Sequence, residues 1–258
     1  MIINIESHSN NIYKSTKKLM SASERRKTGR FIVEGYRIVA DAVRHGADID
    51  YIMVAASYDG QTYEEHCKVY CISDRLFEDI SSTVNSQGII AVVNAPQRES
   101  ASLFDSRYVV YLDSVMDPGN MGTILRTCDA MGIDAVVASK GCVDIYNPKV
   151  VRSTMASIFN VPVFYDRDKN LLRQLADRGY NIAGTFPVGS TPVYECNLAD
   201  KTVIVMGNEA NGISDSVAGL CNIRVTVPMM GGAESLNVAV CCGMILYEQL
   251  RQRNSQKE

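Results

Sequence analysis

The sequence predicts an α/β protein with a large C-terminal parallel-sheet domain preceded by a smaller α/β unit. Short β-branched runs alternate with segments whose apolar residues recur at helical spacing, which is typical of parallel sheets covered by helices on both faces. A polar stretch containing proline and serine, 95–105, interrupts this alternation once. With 258 residues, 46% of them hydrophobic and 21% charged, the chain is long enough for one large domain or two moderate ones, and either can bury a core.

The N-terminal part, 1–94, combines strands and helices after a basic segment. Residues 9–30 are predicted to be helical or irregular, and positions 14–30 carry seven basic side chains against Glu24 alone. From charge alone, this segment fits a phosphate-contacting face and a solvated helix face equally well. The predicted strands are 30–33, 51–55, 68–72 and 89–93, and the predicted helices are 34–43, 61–66 and 74–80.

The C-terminal part, 106–258, is predicted to be the parallel-sheet domain, and 95–105 is the predicted linker. Six strand patterns are expected at 108–112, 135–138, 161–164, 181–184, 203–205 and 223–227. Five helices are expected near 120–131, 148–157, 168–178, 213–219 and 235–251.

Charge and hydropathy exclude several classes of protein. The net charge of −3 and the pI near 5.7 exclude a chain that is basic throughout, so contact with nucleic acid would be local. No apolar run approaches the roughly 20 residues that a membrane helix requires. The first residues lack the basic and apolar regions of a secretory signal. We therefore expect a cytoplasmic protein without a membrane partner.

The eight cysteines form no pattern that indicates disulfides or a metal site. Cys67 and Cys71 are four residues apart, Cys241 and Cys242 are adjacent, and no C-x-x-C pair occurs. The three histidines do not combine with them at metal-ligand spacing. We expect buried free thiols in a reducing compartment and no metal.

Three loops that follow predicted strands are rich in glycine, asparagine and acidic residues: 113–120, 206–212 and 228–234. Ligands bind beyond the carboxyl ends of the strands in an open parallel sheet, so the three loops predict one shared site. The third loop runs into the predicted helix 235–251, where glycine and unpaired N–H groups allow a ligand close to the backbone. None contains a dinucleotide or triphosphate fingerprint, which argues against a dehydrogenase.

Arg126 lies within an otherwise apolar helical pattern, six residues after Asn120. A buried charge without a partner is costly, so this arginine must pair with a carboxylate or reach a cleft. Asp129 and Glu209 are the candidate partners for such an ion pair. Without the neighbouring motifs, the ion pair is the favoured interpretation.

Three motifs stand in order: Asp117-Pro-x-Asn-x-Gly-x-x-x-Arg126, Gly207-x-Glu-x-x-Gly212, and Pro228-Met-x-x-Gly followed by Ser235-Leu-Asn-Val238. They resemble the motifs of the SpoU (TrmH) branch of the SPOUT RNA methyltransferases. The stretch 146–154 also resembles the family, although Ala156 just after it stands where glycine is usual. Residues 30–94 resemble the ribosomal-protein-like substrate-binding domain that precedes many of these enzymes.

The resemblance implies a C-terminal domain with a deep trefoil knot, S-adenosylmethionine as cofactor, and a homodimer with its site near the dimer interface. The implied reaction is methylation of a ribose 2′-hydroxyl in structured RNA, with rRNA favoured over tRNA by analogy. A catalytically inactive RNA-binding protein on the same scaffold is the alternative from another class. The intact motif residues argue against that alternative.

By motif match, the backbone at Gly207, Val227 and Leu236 would contact the cofactor, Thr185 is a weaker candidate, and Met229 would line the pocket. A second, polar set would surround the ribose. The predicted catalytic residues are Asn120, Arg126, Glu209, Ser235 and Asn237. Serine and asparagine are also common caps at helix starts, so Ser235 and Asn237 have a structural interpretation as well.

Arg126 matches the arginine that the family is proposed to use as a general base. The pKa of an arginine side chain lies far above neutral, and lowering it to about 8 costs roughly 6 kcal/mol. Holding the adjacent phosphate and polarising the hydroxyl is a less costly role for this residue.

Overall fold

The computed structural model describes residues 2–255, which form two compact units. The first comprises the chain up to Gln97 together with Asp144–Asn160, and the second comprises Arg98–Val143 and the chain from Val161 onward. The grouping of 144–160 with the first unit was not predicted, because its sequence lies within the predicted C-terminal domain.

The first unit is built on a mixed five-stranded sheet. Its strands are β1 (Ile2–Ile5), β2 (Arg30–Glu34), β3 (Ile49–Ala55), β4 (Lys68–Ile72) and β5 (Ile89–Asn94), in the order β1-β4-β3-β5-β2. Strand β4 pairs in parallel with β1 and β3, whereas β5 is antiparallel to β2 and β3. Helices α1 (Asn11–Lys18), α2 (Ala22–Thr28), α3 (Tyr36–Arg44) and α4 (Asp74–Glu78) accompany it. Strand β1 was not predicted, and the predicted helix at 61–66 is wrong, because that stretch is irregular with a turn.

Strand β5 explains why this sheet is buried on both faces. Ile89, Ala91 and Val93 face one core, and Ile90 and Val92 face the other. Side chains alternate along a strand, so an uninterrupted apolar run is the pattern expected of a central strand with cover on each side.

The segment 144–160 joins this unit through two short helices, α6 (Pro148–Thr154) and α7 (Ser157–Asn160). Val151 and Ile158 lie in the core that β2 borders. One helix was predicted over 148–157, but Met155 and Ala156 have φ angles of 49° and 77° and interrupt it. Ala156 therefore occupies a left-handed conformation that favours glycine.

The basic segment of this unit is partly neutralised. Arg25 is buried, donates to the carbonyl oxygens of residues 19 and 20, and lies 2.7 Å from the carboxylate of Asp144. Arg30 pairs with Asp50 at 2.8 Å. Four of its basic side chains are exposed and have no ion pair within residues 2–255: Lys14, Lys18, Arg26 and Lys27.

The second unit is built on a seven-stranded sheet in which every pairing is parallel. Its strands are β6 (Tyr108–Leu112), β7 (Ala135–Ser139), β8 (Val163–Asp166), β9 (Asn181–Thr185), β10 (Thr191–Pro192), β11 (Thr202–Met206) and β12 (Ile223–Thr226). The order is β10-β12-β9-β11-β6-β7-β8. The parallel sheet is thus confirmed, with the short strand β10 added and the strand predicted at 161–164 displaced by two residues.

The helices of this unit are α5 (Pro118–Ala130), α8 (Asn170–Asp177), α9 (Asp215–Ala218) and α10 (Val238–Ser255). Helix α10 packs against α5. Within the predicted linker, Ser100–Asp105 form a 3-10 helix, and Leu103 is fully buried in the core of this unit. No helix within residues 2–255 is long and apolar enough to cross a membrane.

Candidate active site

Strands β6 and β11 are adjacent, and the loops that follow them lie at the same end of the parallel sheet. The loop after β12 lies at that end too, two strands from β11. The first loop leads into α5, the second carries Glu209, and the third leads into α10. The predicted convergence therefore follows from strand order, because parallel strands present their carboxyl ends on one side.

A chain of hydrogen bonds connects the three loops. The side-chain amide of Asn237 donates to Asn120 Oδ1 at 2.9 Å, and Asn120 Nδ2 donates to Glu209 Oε1 at 3.0 Å. Glu209 also accepts the backbone N–H groups of Asp117 at 3.1 Å and Met116 at 3.3 Å. Three predicted catalytic residues from three sequence motifs thus form one polar network.

The charge of Glu209 is stabilised by this network. Burial alone raises the pKa of the carboxyl group, but the hydrogen bonds from Asn120, Asp117 and Met116 outweigh it and hold the pKa below its usual value. The start of α5 adds a favourable partial positive charge. Glu209 is therefore an anionic hydrogen-bond acceptor at neutral pH and is poorly suited to act as a proton donor.

Asn237 has the capping role as well as its place in the network. Its Oδ1 accepts the N–H groups of Ala239 at 2.9 Å and Val240 at 3.3 Å, at the start of α10. Because Oδ1 is used by the helix, Nδ2 is directed to Asn120. The helix was predicted to begin at Ser235, and the cap explains why it begins three residues later.

Gly207 is required by the tight path of the second loop. A β-carbon added there would lie 2.3 Å from the carbonyl carbon of Gly212 and 2.5 Å from the backbone nitrogen of Ile213. The loop is closed by two hydrogen bonds of 2.9 Å between the backbones of Asn208 and Gly212. This close approach excludes any side chain at position 207.

Two predicted catalytic residues do not join the network in this chain. Arg126 is exposed on α5, and within residues 2–255 no ion pair or hydrogen bond engages its guanidinium. The alternative of a structural pair with Asp129 or Glu209 is therefore wrong, because the arginine is solvated rather than buried. Ser235 is also exposed and makes no hydrogen bond within the described part of the chain.

The predicted cofactor residues lie around the same strand ends. Thr185, the last residue of β9, donates from Oγ1 to the carbonyl oxygen of Val205 at 3.0 Å. Val227 and Leu236 are half-buried at the two ends of the third loop, and Met229 is 37% exposed within it. Within residues 2–255 no hydrogen bond joins these side chains to one another, and their shared role stays a prediction.

The charge of these loops suits a cationic ligand better than an anionic one. Residues 113–120, 206–214 and 227–237 contain no lysine or arginine but include four carboxylates, at Asp113, Asp117, Glu209 and Glu234. A phosphate site would normally contain a cation or a glycine-rich anion nest. S-adenosylmethionine carries a sulfonium cation, so the donor and acceptor set fits that cofactor.

Three residues that shape the site were not among the predicted site residues: Asp113, Asn208 and Ser214. Asp113 is buried and accepts hydrogen bonds from Ser214, and Asn208 Nδ2 donates to the carbonyl oxygen of Ser114 at 2.8 Å and to Glu209 at 3.3 Å. Asp113 had a detectable signal, because an acidic residue directly after a buried strand needs partners. Ser214 had none, since its partner is 101 residues away in sequence.

The eight cysteines are free thiols, three of them buried and five half-buried. Burial raises the pKa of the Cys241 and Cys221 thiols to about 11, which makes them unreactive at neutral pH. Within residues 2–255, no group of three histidine, cysteine or carboxylate side chains is arranged to hold a metal ion.

Most of the chain matches known protein families. Residues 107–247 match the SpoU rRNA Methylase family, and residues 10–91 match the MRM3-like substrate binding domain. Several relatives match nearly end to end, and two of them are 23S rRNA methyltransferases. The 23S rRNA (guanosine(2553)-2′-O)-methyltransferase of Bacillus subtilis is 33% identical, over 94% of this chain and 97% of the relative. The 23S rRNA (uridine(2479)-2′-O)-methyltransferase of Streptomyces viridochromogenes is 29% identical, over 92% of this chain and 88% of the relative.

A solved structure has the same architecture. The AdoMet-bound rRNA methyltransferase from Sinorhizobium meliloti superposes with a TM-score of 0.87 at 26% identity, covering 97% of this chain and 98% of that protein. The similarity includes both the parallel-sheet unit and the smaller unit.

Proposed function

Because the chain belongs to the SpoU rRNA Methylase family, we propose that it transfers a methyl group from S-adenosylmethionine to a ribose 2′-hydroxyl of rRNA. The observation that carries this proposal is the hydrogen-bonded chain of Asn237, Asn120 and Glu209 across three loops. A plain RNA-binding scaffold has no need for a network of this kind at the strand ends.

The residues of this chain would divide the work of the reaction. S-adenosylmethionine supplies an activated, electrophilic methyl group. Gly207, Val227 and Leu236 would hold it by backbone contacts, with Thr185 and Met229 beside it. Asn120, Glu209, Ser235 and Asn237 would orient the ribose, and the hydroxyl of Ser235 has no competing hydrogen bond within residues 2–255.

Arg126 would hold the phosphate next to the target ribose and polarise the 2′-hydroxyl, whose proton passes to phosphate or water. Its exposure on α5 favours this role, since a solvated guanidinium is available for a bidentate contact with an incoming phosphate. The same exposure favours a contact with phosphate over the role of a general base.

The proposed RNA substrate is rRNA rather than tRNA. The relatives from Bacillus subtilis and Streptomyces viridochromogenes, which match nearly end to end, are 23S rRNA methyltransferases, and the first unit matches a substrate-binding domain. The four exposed cations Lys14, Lys18, Arg26 and Lys27 are candidate phosphate contacts of that unit. An rRNA substrate and eight free thiols favour a cytoplasmic location.

The decisive experiment maps ribose methylation in rRNA and tRNA from cells with and without the gene. A 2′-O-methyl group missing from one rRNA position supports the proposal, and one missing only from tRNA supports the tRNA alternative. Unchanged methylation in both RNAs favours an inactive RNA-binding protein. Calorimetry with S-adenosylmethionine on the purified protein is the cheaper test between an enzyme, which binds the cofactor, and a plain RNA-binding protein, which does not.

We expect Arg126→Ala to abolish methylation while the affinity for S-adenosylmethionine stays within a few-fold, because the arginine is assigned to the RNA phosphate and not to the cofactor. Single-turnover assays on rRNA fragments and calorimetry check the two halves of this prediction. Retained turnover in the variant contradicts the assigned role. Arg126→Lys serves as the control that keeps the charge but loses the bidentate geometry.

We further infer a homodimer that uses α10. Val240, Met244 and Tyr247 recur at i, i+4 and i+7 and are 48%, 46% and 63% exposed, so they form one apolar stripe. We expect Met244→Glu to convert a dimer to a monomer in light scattering. Val84→Glu, at an exposed apolar residue of the first unit, should leave the dimer intact. We also propose that the second unit contains the trefoil knot that the resemblance implies.

A further inference from the structure

The loop that carries Glu209 is anchored at both ends by one residue. The backbone N–H of Asp113 donates to the carbonyl oxygen of Met206 at 2.8 Å, just before the loop. The carboxylate of Asp113 accepts the backbone N–H of Ser214 at 2.8 Å and its hydroxyl at 2.6 Å, just after the loop. Asp113 thus spans the base of residues 207–213.

The loop is stiff between these anchors. The paired hydrogen bonds of Asn208 and Gly212 close it, and Gly207 lies directly against the backbone of Gly212. A stiff loop moves as a body, so the position of Glu209 depends on how the base is held. The side chain of Asn208 adds one further contact, to the carbonyl oxygen of Ser114, the residue after Asp113.

The carboxylate of Asp113 is 2% exposed and makes no ion pair within residues 2–255. Its charge is balanced indirectly, because Lys169 Nζ donates to Ser214 Oγ at 3.1 Å, and Ser214 Oγ in turn donates to Asp113. A buried carboxylate without these bonds would be costly, so Ser214 is held firmly.

We propose that Asp113 is a positioning residue for methyl transfer, acting through Ser214 to hold the 207–213 loop where Glu209 meets Asn120 and where Gly207 meets the cofactor. The proposal rests on the proposed function, in which Glu209 belongs to the catalytic network. In this role Asp113 acts through Ser214 and does not itself contact the substrate or the cofactor.

The test compares two buried aspartates of the same sheet. Asp113→Asn removes the charge that holds Ser214. Asp166→Asn is the matched control, because Asp166 is 1% exposed and accepts two backbone N–H groups, of Leu171 and Leu172, both at 3.2 Å. These bonds hold Leu171 and Leu172 at the start of α8 and do not reach the Glu209 loop directly. The one link is Lys169, just before α8, which donates to Ser214, so the test is the difference between the two variants.

We expect Asp113→Asn to lower kcat and to weaken S-adenosylmethionine binding, each by about tenfold or more, since charge-assisted hydrogen bonds at a site are worth that much. Asp166→Asn should lose comparable thermal stability but keep both values within a few-fold of wild type. Ser214→Thr retains the N–H and the hydroxyl and should retain activity.

If Asp113→Asn and Asp166→Asn lose stability equally and both keep wild-type kcat and cofactor affinity, the positioning role is overturned. If Asp113→Asn does not fold, Ser214→Ala gives the same test from the partner side, with an expected loss of cofactor affinity and a contrary result if affinity is unchanged. A wild-type protein that binds S-adenosylmethionine but methylates no RNA contradicts the proposed function instead. The calorimetric comparison of Asp113→Asn with Asp166→Asn remains valid in that case.

Discussion

Two glutamates, one in each unit, organise loops by similar chemistry but with different outcomes. Glu34 at the end of β2 accepts hydrogen bonds from the hydroxyls of Ser81, Ser82, Thr83 and Ser86 and from the backbone N–H of Ser82. Glu209 accepts two backbone N–H groups and two asparagine amides. In both residues the hydrogen bonds outweigh burial and hold the pKa below its usual value.

The two glutamates differ in where their networks end. The partners of Glu34 all come from one loop, 81–86, and Arg152 completes them through a 2.6 Å bond to Ser82 Oγ. The network of Glu209 continues through Asn120 to Asn237, which is exposed at the edge of the parallel sheet. A network whose polar groups all find partners within one unit stabilises the fold, whereas one that ends in an exposed amide can receive a ligand.

The largest effect is expected from Glu209→Gln. The glutamine keeps the size of the side chain but puts a donor where the carboxylate accepts from Asn120 or the Met116–Asp117 backbone, so the network loses its geometry. We expect methylation to fall by about 100-fold, as when a positioned hydrogen bond is removed from a polar site. Single-turnover rates on rRNA measure it. A rate near wild type would place Glu209 with Glu34 as a purely structural residue.

A smaller effect, on stability rather than activity, is expected from Glu34→Gln. The substitution replaces charge-assisted hydrogen bonds to the 81–86 loop by neutral ones, and we expect about 2 kcal/mol lower free energy of unfolding. Urea unfolding at neutral pH measures the loss. Cofactor affinity by calorimetry is the matching control and should stay at the wild-type value, because Glu34 lies outside the three site loops.

The smallest expected effect is a dependence of the unfolding free energy on acidic pH. The pKa of Glu34 in the folded state is below its ordinary value of 4.5, so its charge stabilises the fold above that pH, and this contribution is lost as the pH falls through the folded pKa. The difference in unfolding free energy between wild type and Glu34→Gln should therefore be constant near neutrality and shrink below about pH 4.5. Glu209→Gln should show a change in the same direction, because the pKa of Glu209 is also lowered, but a smaller one, because Glu209 is exposed and solvent screens its charge. If the unfolding free energies of the two variants depend on pH equally, the difference drawn between Glu34 and Glu209 is contradicted.

Local patterns in the sequence were sufficient for most elements of the second unit. The apolar runs at 108–112 and 203–205 correspond to β6 and β11, because a strand buried on both faces has a continuous apolar sequence. Patterns failed where the conformation depends on distant partners. The short strand Thr191–Pro192 exists only through pairing with β12, and Leu103 in the predicted linker is ordered by burial in the core.

In the site, too, some features could be predicted from the sequence and others could not. The motif residues Asn120, Glu209 and Asn237 could be predicted, and the structure connects them. The solvated position of Arg126 was not predicted, because its neighbours Ile124, Leu125 and Cys128 made the whole segment look buried. Their helical spacing nevertheless leaves position 126 outside the buried stripe of α5.

The sequence by itself determined the alternation of strands and helices, the three loops and the amino acids that form the polar network, because these are properties of local pattern and composition. Tertiary structure alone decided that 144–160 belongs with the first unit, where Asp144 pairs with the buried Arg25. It also decided that Asp113 holds Ser214, 101 residues away. In both cases a buried charge found its partner through the fold, and burial is a property of three-dimensional position that sequence spacing does not record.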